Sequence, residues 1–342
     1  MAIYIFIAII LFCMAITTKR KSTSSLIFVC IILFIISGFR SLSVGTDTIN
    51  YAARFDNIDI SATTKLFEYG WYYLNYLFYY SRFSVHAVFI VSAFATIYLF
   101  YKTVSKESKW PLFSLLLYIL FFYYFNSFNI IRQTIAEAIV FFAVPFLING
   151  KKKDMLIFYG LVLLAMLFHT SAVIAFAIPL IQYVNINKRS ACFLLISSII
   201  IGNIPLESFI LSQNFYFLSD MYSHYLEDFN GVGVSINRLI MNAYIILYLY
   251  FEKEDLGFYS KIMILGIVLQ NAFPYPIIIR MFNYLVIFSI IAVADLCYDK
   301  NKKLFTISTM IYGTVKFSLF LSTNTCGIVP YDFINLSDIL KL

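Results

Sequence analysis

Four stretches carry side chains suited to binding anions or moving protons. The stretch Asn129-Ile130-Ile131-Arg132-Gln133-Thr134-Ile135-Ala136-Glu137 opens a long apolar run. Arg132 falls in its first turn, where helix N–H groups also favour anions, and a guanidinium fork grips phosphate or carboxylate oxygens in pairs. Gln133 and Glu137 follow at i, i+4 spacing. Glu137 is a carboxyl within an apolar run, costly unless paired or protonated; a helix–helix contact explains it as well as catalysis does. Arg280 opens another run, with Tyr284 one turn later. His169, in Leu167-Phe168-His169-Thr170-Ser171, sits where two apolar runs meet, either as a proton carrier or as a plain hydrogen-bonding group. Arg40 begins a polar stretch in which Gly45 permits a sharp turn and Asp47 can accept a proton or hold a hydroxyl. Thr46, Asp47 and Thr48 also suit a simple helix cap.

The elements that hold these residues are set by composition. Of 342 residues, 61% are hydrophobic and 13% charged, about half the charge of a soluble domain. Apolar runs extend from end to end without period-2 alternation, so they are helices in lipid rather than barrel strands. Spans are expected at 1–17, 24–39, 85–101, 110–127, 130–149, 154–169, 170–186, 190–206, 236–252, 259–275, 279–297 and 304–321. The fold class is therefore all-α: a polytopic transmembrane bundle of about 12 spans forming one integral domain over 1–342. Segment 67–82, crowded with aromatics, is expected to lie in the interface or to dip in and out.

With 67–82 left out, alternate loops become basic. They hold 16 of the 25 Lys and Arg residues, including Lys19-Arg20-Lys21, Lys102, Lys151-Lys152-Lys153 and Lys300. By the positive-inside rule that face is cytoplasmic and both termini lie outside. Fourteen of the 17 lysines fall inside, whereas six of the eight arginines fall at the outer side. Topology does not ask for arginines there; anion binding does, as does pairing with outer carboxylates such as Asp47 and Glu68. The outer loops are 40–84 and 207–235. The second is rich in aromatics, which suits either sugar stacking or an interfacial belt.

Other classes recede. The net charge of +7 is scattered in short clusters, which speaks against nucleic acid. No CxxC pair occurs among the five cysteines, so neither a metal cluster nor a disulfide framework is expected, and no cofactor. A cleaved leader is not expected, since no basic residue precedes the first run. The absence of a fixed-period repeat weakens an inverted-repeat transporter.

Gly38-Phe39-Arg40 to Val44-Gly45-Thr46-Asp47, with Tyr51 and Phe55, resembles the first outer loop of the EpsG-like, Wzy-type polymerases of bacterial polysaccharide repeat units. Phe67-Glu68-Tyr69-Gly70, Asn129 to Ala136, Phe168-His169-Thr170-Ser171-Ala172, Arg280 with Tyr284, and Pro330-Tyr331 continue that resemblance in order. Ser43 departs from it, standing where an aromatic is common. The resemblance implies a GT-C-like bundle in the bacterial inner membrane that moves a growing glycan from undecaprenyl diphosphate onto an incoming lipid-linked repeat unit. A flippase and a chain-length regulator are the implied partners. On that basis Arg40, Arg132, Gln133, Arg280, Tyr284 and Glu68 are expected to bind substrate. Asp47 and His169 are the catalytic candidates, with His169 favoured as base, and no metal is expected. A lipid-linked oligosaccharide flippase and a glycan ligase are the alternatives.

Overall fold

The computed structural model describes residues 1–18, 22–59, 68–204 and 236–339. Among these the chain is helical and has no strand, with only isolated bridges such as Arg40 to Phe333. It divides into two compact units, Met1–Pro179 with Ser289–Leu342, and Leu180–Phe288. Loop 207–235, Phe67 and the Lys19-Arg20-Lys21 cluster lie wholly or largely outside the described residues.

The first unit begins with α1 (Ala2–Thr17), α2 (Thr23–Gly38), α3 (Thr48–Asp56), α4 (Tyr69–Tyr80) and α5 (Val85–Glu107). It continues with α6 (Pro111–Leu120), α7 (Tyr123–Asn126), α8 (Ile131–Ala143) and α9 (Lys152–Met166). The second unit holds α10 (Lys188–Gly202), α11 (Ile236–Phe251), α12 (Phe258–Ala272) and α13 (Pro276–Val286). The chain returns to the first unit with α14 (Ser289–Cys297) and α15 (Lys303–Ser322).

The helices are apolar on all sides, and packing chooses which side goes in. In α15, Phe305, Thr309, Gly313, Phe317 and Leu321 are buried, while Ile307, Ile311 and Val315 face outward. In α1, Tyr4, Ile7, Ala8, Leu11 and Ala15 are buried, and Ile5, Phe6, Ile9 and Phe12 are exposed. Outward stripes of Ile and Phe suit lipid, not water. Every residue of α6 is buried; it is the axis of the first unit, packed by α1, α14 and α15. α5 packs on α2 and α8, and α8 on α9.

Among the described residues four helices are long and apolar enough to cross a membrane: Val85–Glu107, Ile131–Ile148, Ile278–Cys297 and Lys300–Ser322. Five shorter apolar helices accompany them. Several of the expected spans are interrupted. Run 110–127 stops at Leu120, and Phe122 takes a left-handed φ of 72° before the single turn of α7. Such a φ is unfavourable for a bulky residue; stacking of Phe122 on Phe320 at 4.8 Å offsets it. In run 130–149, Pro145 has no N–H to give, and the α-helix tightens to a 3-10 helix over Val144–Asn149. Run 170–186 is a 3-10 helix, Thr170–Tyr183, with Pro179 inside it. Segment 67–82 contributes α4, which packs on α3 and α5.

The order of the first unit's helices separates its charges. α8 starts beside Arg132 and is followed by Lys151-Lys152-Lys153, from which α9 runs back to end three residues before His169. Arg132 and His169 thus share one end of the unit, and the lysine cluster marks the other.

Candidate functional site

Three chain segments knot together at that end. Gly45 donates its N–H to the Gly327 carbonyl at 2.9 Å, and Thr46 to the Cys326 carbonyl at 3.2 Å. Asn129 ties both to the turn before α8. Its Nδ2 donates to the Cys326 carbonyl at 2.9 Å, and its Oδ1 accepts from the Thr46 hydroxyl at 3.2 Å and the Asp47 N–H at 3.5 Å. Gly45 has φ +105°, and a Cβ there would lie 2.8 Å from the Phe128 carbonyl oxygen. Only glycine satisfies both the backbone angle and the approach.

Arg40 is the internal post of this knot rather than part of its surface. It is 1% exposed. One amino group donates to the Ser37 carbonyl and the other to the Phe128 carbonyl at 3.1 Å, while the guanidinium lies over the rings of Phe89 and Phe128 at 4.8 and 5.1 Å. Tyr331, from the carboxyl-terminal segment, donates to the Ile36 carbonyl one turn earlier at 2.9 Å.

Beside the knot, Glu68 gathers the polar groups. Its Oε2 lies 2.6 Å from Arg132 Nη1, and its Oε1 lies 3.0 Å from His169 Nδ1. The Thr170 N–H donates to the same Oε1 at 3.2 Å. Gly70 makes this approach possible. Its N–H donates to the Leu167 carbonyl at 2.7 Å, and any Cβ on it would lie 2.8 Å from that oxygen. Burial acts to raise the Glu68 pKa, but the His169 hydrogen bond and the Arg132 charge outweigh it and hold the carboxyl at about 2, against an ordinary 4.5. Glu68 is therefore ionised and accepts only. His169 Nδ1 must then be the donor, so that when the ring carries a single proton Nε2 is its accepting nitrogen. Tyr51, one turn beyond Asp47, is electrostatically coupled to Arg132. The three side chains of the Glu68 cluster keep 16 to 27% of their surface exposed, so the cluster is braced yet reachable.

The structure therefore brings together Glu68, Arg132 and His169, with Asp47 half-exposed nearby and electrostatically coupled to Tyr51. Gln133 does not join them. It is 4% exposed and donates to Glu137 Oε1 at 2.8 Å inside the unit. Arg280, in the second turn of α13, is exposed, and Tyr284 is buried; both belong to the second unit. Tyr51, Asn129 and Thr170 were not singled out as site residues from sequence. All three lie within the motifs that carry the family resemblance, Tyr51 at i+4 from Asp47 and Thr170 next to His169. Among the described residues no group of three His, Cys, Asp or Glu side chains is arranged to hold a metal.

The EpsG family's sequence profile matches residues 23–333, nearly the whole chain. This protein belongs to the EpsG family. The matched region takes in the first-loop glycine and aspartate, Glu68, Arg132, His169 and the carboxyl-terminal turn that closes the knot. No curated protein and no solved structure matches the chain. Membership of the EpsG family, with the apolar helices, makes this a membrane protein of polysaccharide biosynthesis and, at a coarse level, a glycosyltransferase-like polymerase.

Proposed function

We propose that this EpsG-family protein is a repeat-unit polymerase acting at the outer face of the bacterial cytoplasmic membrane. It moves a growing glycan from a polyprenyl diphosphate onto the sugar of an incoming lipid-linked unit. One observation carries the reading: a single carboxylate, Glu68, braces a histidine and an arginine at the end of the unit opposite its lysines.

In the reaction, the acceptor hydroxyl gives its proton to His169 Nε2. The acceptor oxygen bonds to the anomeric carbon of the growing chain, and the bond from that carbon to the diphosphate oxygen breaks. The polyprenyl diphosphate leaves with the electron pair. The positive charge of Arg132, braced by Glu68, meets the charge that builds on the leaving diphosphate. Glu68 keeps the imidazole in the tautomer that can take a proton and stabilises the cation that results. Asp47, at the mouth of the knot, positions the acceptor. Arg40 acts at one remove by holding Phe128 and so Asn129 in place.

Comparing surface glycan in cells with and without the gene tests this. Single repeats in place of long chains are expected in its absence. Complete loss of surface glycan would point instead to a flippase, and free lipid-linked polymer would point to a ligase.

A further inference from the structure

The helix that starts at Glu68 carries a row of exposed tyrosines. On α4, Tyr69, Tyr73, Tyr76 and Tyr80 are 70, 62, 41 and 54% exposed. Their spacing of 4, 3 and 4 places them on one face of the helix. The opposite face anchors it, with Trp71 1% and Asn75 3% exposed. The rings are already ordered against one another: Tyr76 and Tyr80 have centroids 4.4 Å apart, and Tyr72 touches both Tyr73 and Tyr76. Twelve residues make a stripe about 18 Å long. One end is the Glu68 cluster and the other is fixed by Tyr80, whose hydroxyl donates to Asp59 Oδ1 at 2.9 Å.

An interfacial membrane anchor would also be aromatic, but two features of α4 disfavour it. Helices that lie on lipid carry Lys or Arg towards the headgroups, and Tyr69–Tyr80 contains neither. A carboxylate stands at each end, which resists submersion of the helix in hydrocarbon. Leu77 is its one exposed aliphatic. Tyrosine, in contrast, offers a rigid apolar face with a hydrogen-bonding tip at little entropic cost. That is the chemistry that receives the C–H faces and hydroxyls of sugar rings.

We propose that the exposed face of α4 is a glycan track, on which uncharged sugar rings of the polymer stack as they pass the Glu68 site. The inference rests on the polymerase reading and adds a surface to it. No charged side chain lies along the stripe itself, which suits uncharged sugar rings.

The test uses the full chain in lipid nanodiscs and the pair of substitutions Tyr73→Leu with Tyr76→Leu. Leucine keeps affinity for lipid and removes the aromatic face. The partner pair, Tyr73→Trp with Tyr76→Trp, keeps the face. Binding of a lipid-free repeat-unit oligosaccharide, read by saturation-transfer NMR, is expected to weaken about tenfold in the leucine pair, as for the loss of two modest stacking contacts. It should be kept in the tryptophan pair. With lipid-linked substrate, the leucine pair should make shorter polymer while joining the first two repeats at the wild-type rate. Equal oligosaccharide binding by wild type and the leucine pair would overturn the track. So would equal weakening in the leucine and tryptophan pairs. If the wild type binds glycan through these tyrosines yet forms no polymer, the track stands and the polymerase reading falls.

Discussion

His169 Nδ1 lies 3.0 Å from Glu68 Oε1, across 101 residues of sequence. Because the carboxylate is ionised, this contact decides which imidazole nitrogen can accept a proton, and the two residues should behave as one device. Glu68→Gln and His169→Gln are each expected to slow repeat-unit joining about 10²-fold or more. The double variant should be scarcely slower than either single one. Rates measured with synthetic lipid-linked repeats decide the matter, and multiplying losses would mean the residues act separately.

Arg132→Lys keeps a positive charge but loses the planar fork that meets Glu68 on one side and the diphosphate on the other. Joining should fall by about 10²-fold to 10³-fold, as for the loss of one electrostatic donor, with the protein level in the membrane unchanged. Wild-type polymer from this variant would remove Arg132 from the mechanism.

The depressed pKa of Glu68 sets a stability window. Its folded-state value of about 2 lies below the ordinary 4.5, so its contribution is present above 4.5 and is lost as pH falls through 2. Glu68→Gln should therefore melt lower than wild type at neutral pH, by about 1–3 kcal/mol in stability. The gap should close as acid is added below pH 4.5. Thermal unfolding in nanodiscs at several pH values measures it, and a gap that widens in acid would contradict the assigned charge state.

Gly45→Ala tests the knot. The new methyl would meet the Phe128 carbonyl and the Thr48 hydroxyl at a φ of +105°, a cost of about 1–3 kcal/mol. The substitution is expected to lower the melting temperature and to reduce joining by displacing Asn129 and Asp47. Gly160→Ala, inside α9 where an added Cβ meets nothing within 4 Å, serves as the control: it should leave joining unchanged and the melting temperature unlowered, raised if anything by the better helix former.

The resemblance placed Arg132 and Gln133 together as ligands. They are adjacent in sequence, so on a helix they point about 100° apart. Arg132 reaches Glu68, and Gln133 turns inward to Glu137. Only packing against the neighbouring helices settled which of the two faced the site. Arg40 differs in a similar way. The resemblance made it a candidate ligand, and its surroundings of two carbonyls and two aromatic rings make it a brace. Phe122 carried no local mark of its left-handed turn, since the ring that stabilises it belongs to α15.

The sequence by itself determined the apolar surroundings and the helical class, because uninterrupted apolar runs leave backbone groups no partner but their own helix. It did not determine where the helices break: the expected run 130–149 tightens to a 3-10 helix at Pro145. It did mark Glu68, Arg132 and His169 through motifs whose order matched a family. What only the tertiary structure decided is that these three meet. Arg132 and His169 lie 64 and 101 residues from Glu68, and contacts at such separation depend on which helix faces pack. In a chain apolar on every side, local pattern does not choose that face; the fit of side chains between helices does.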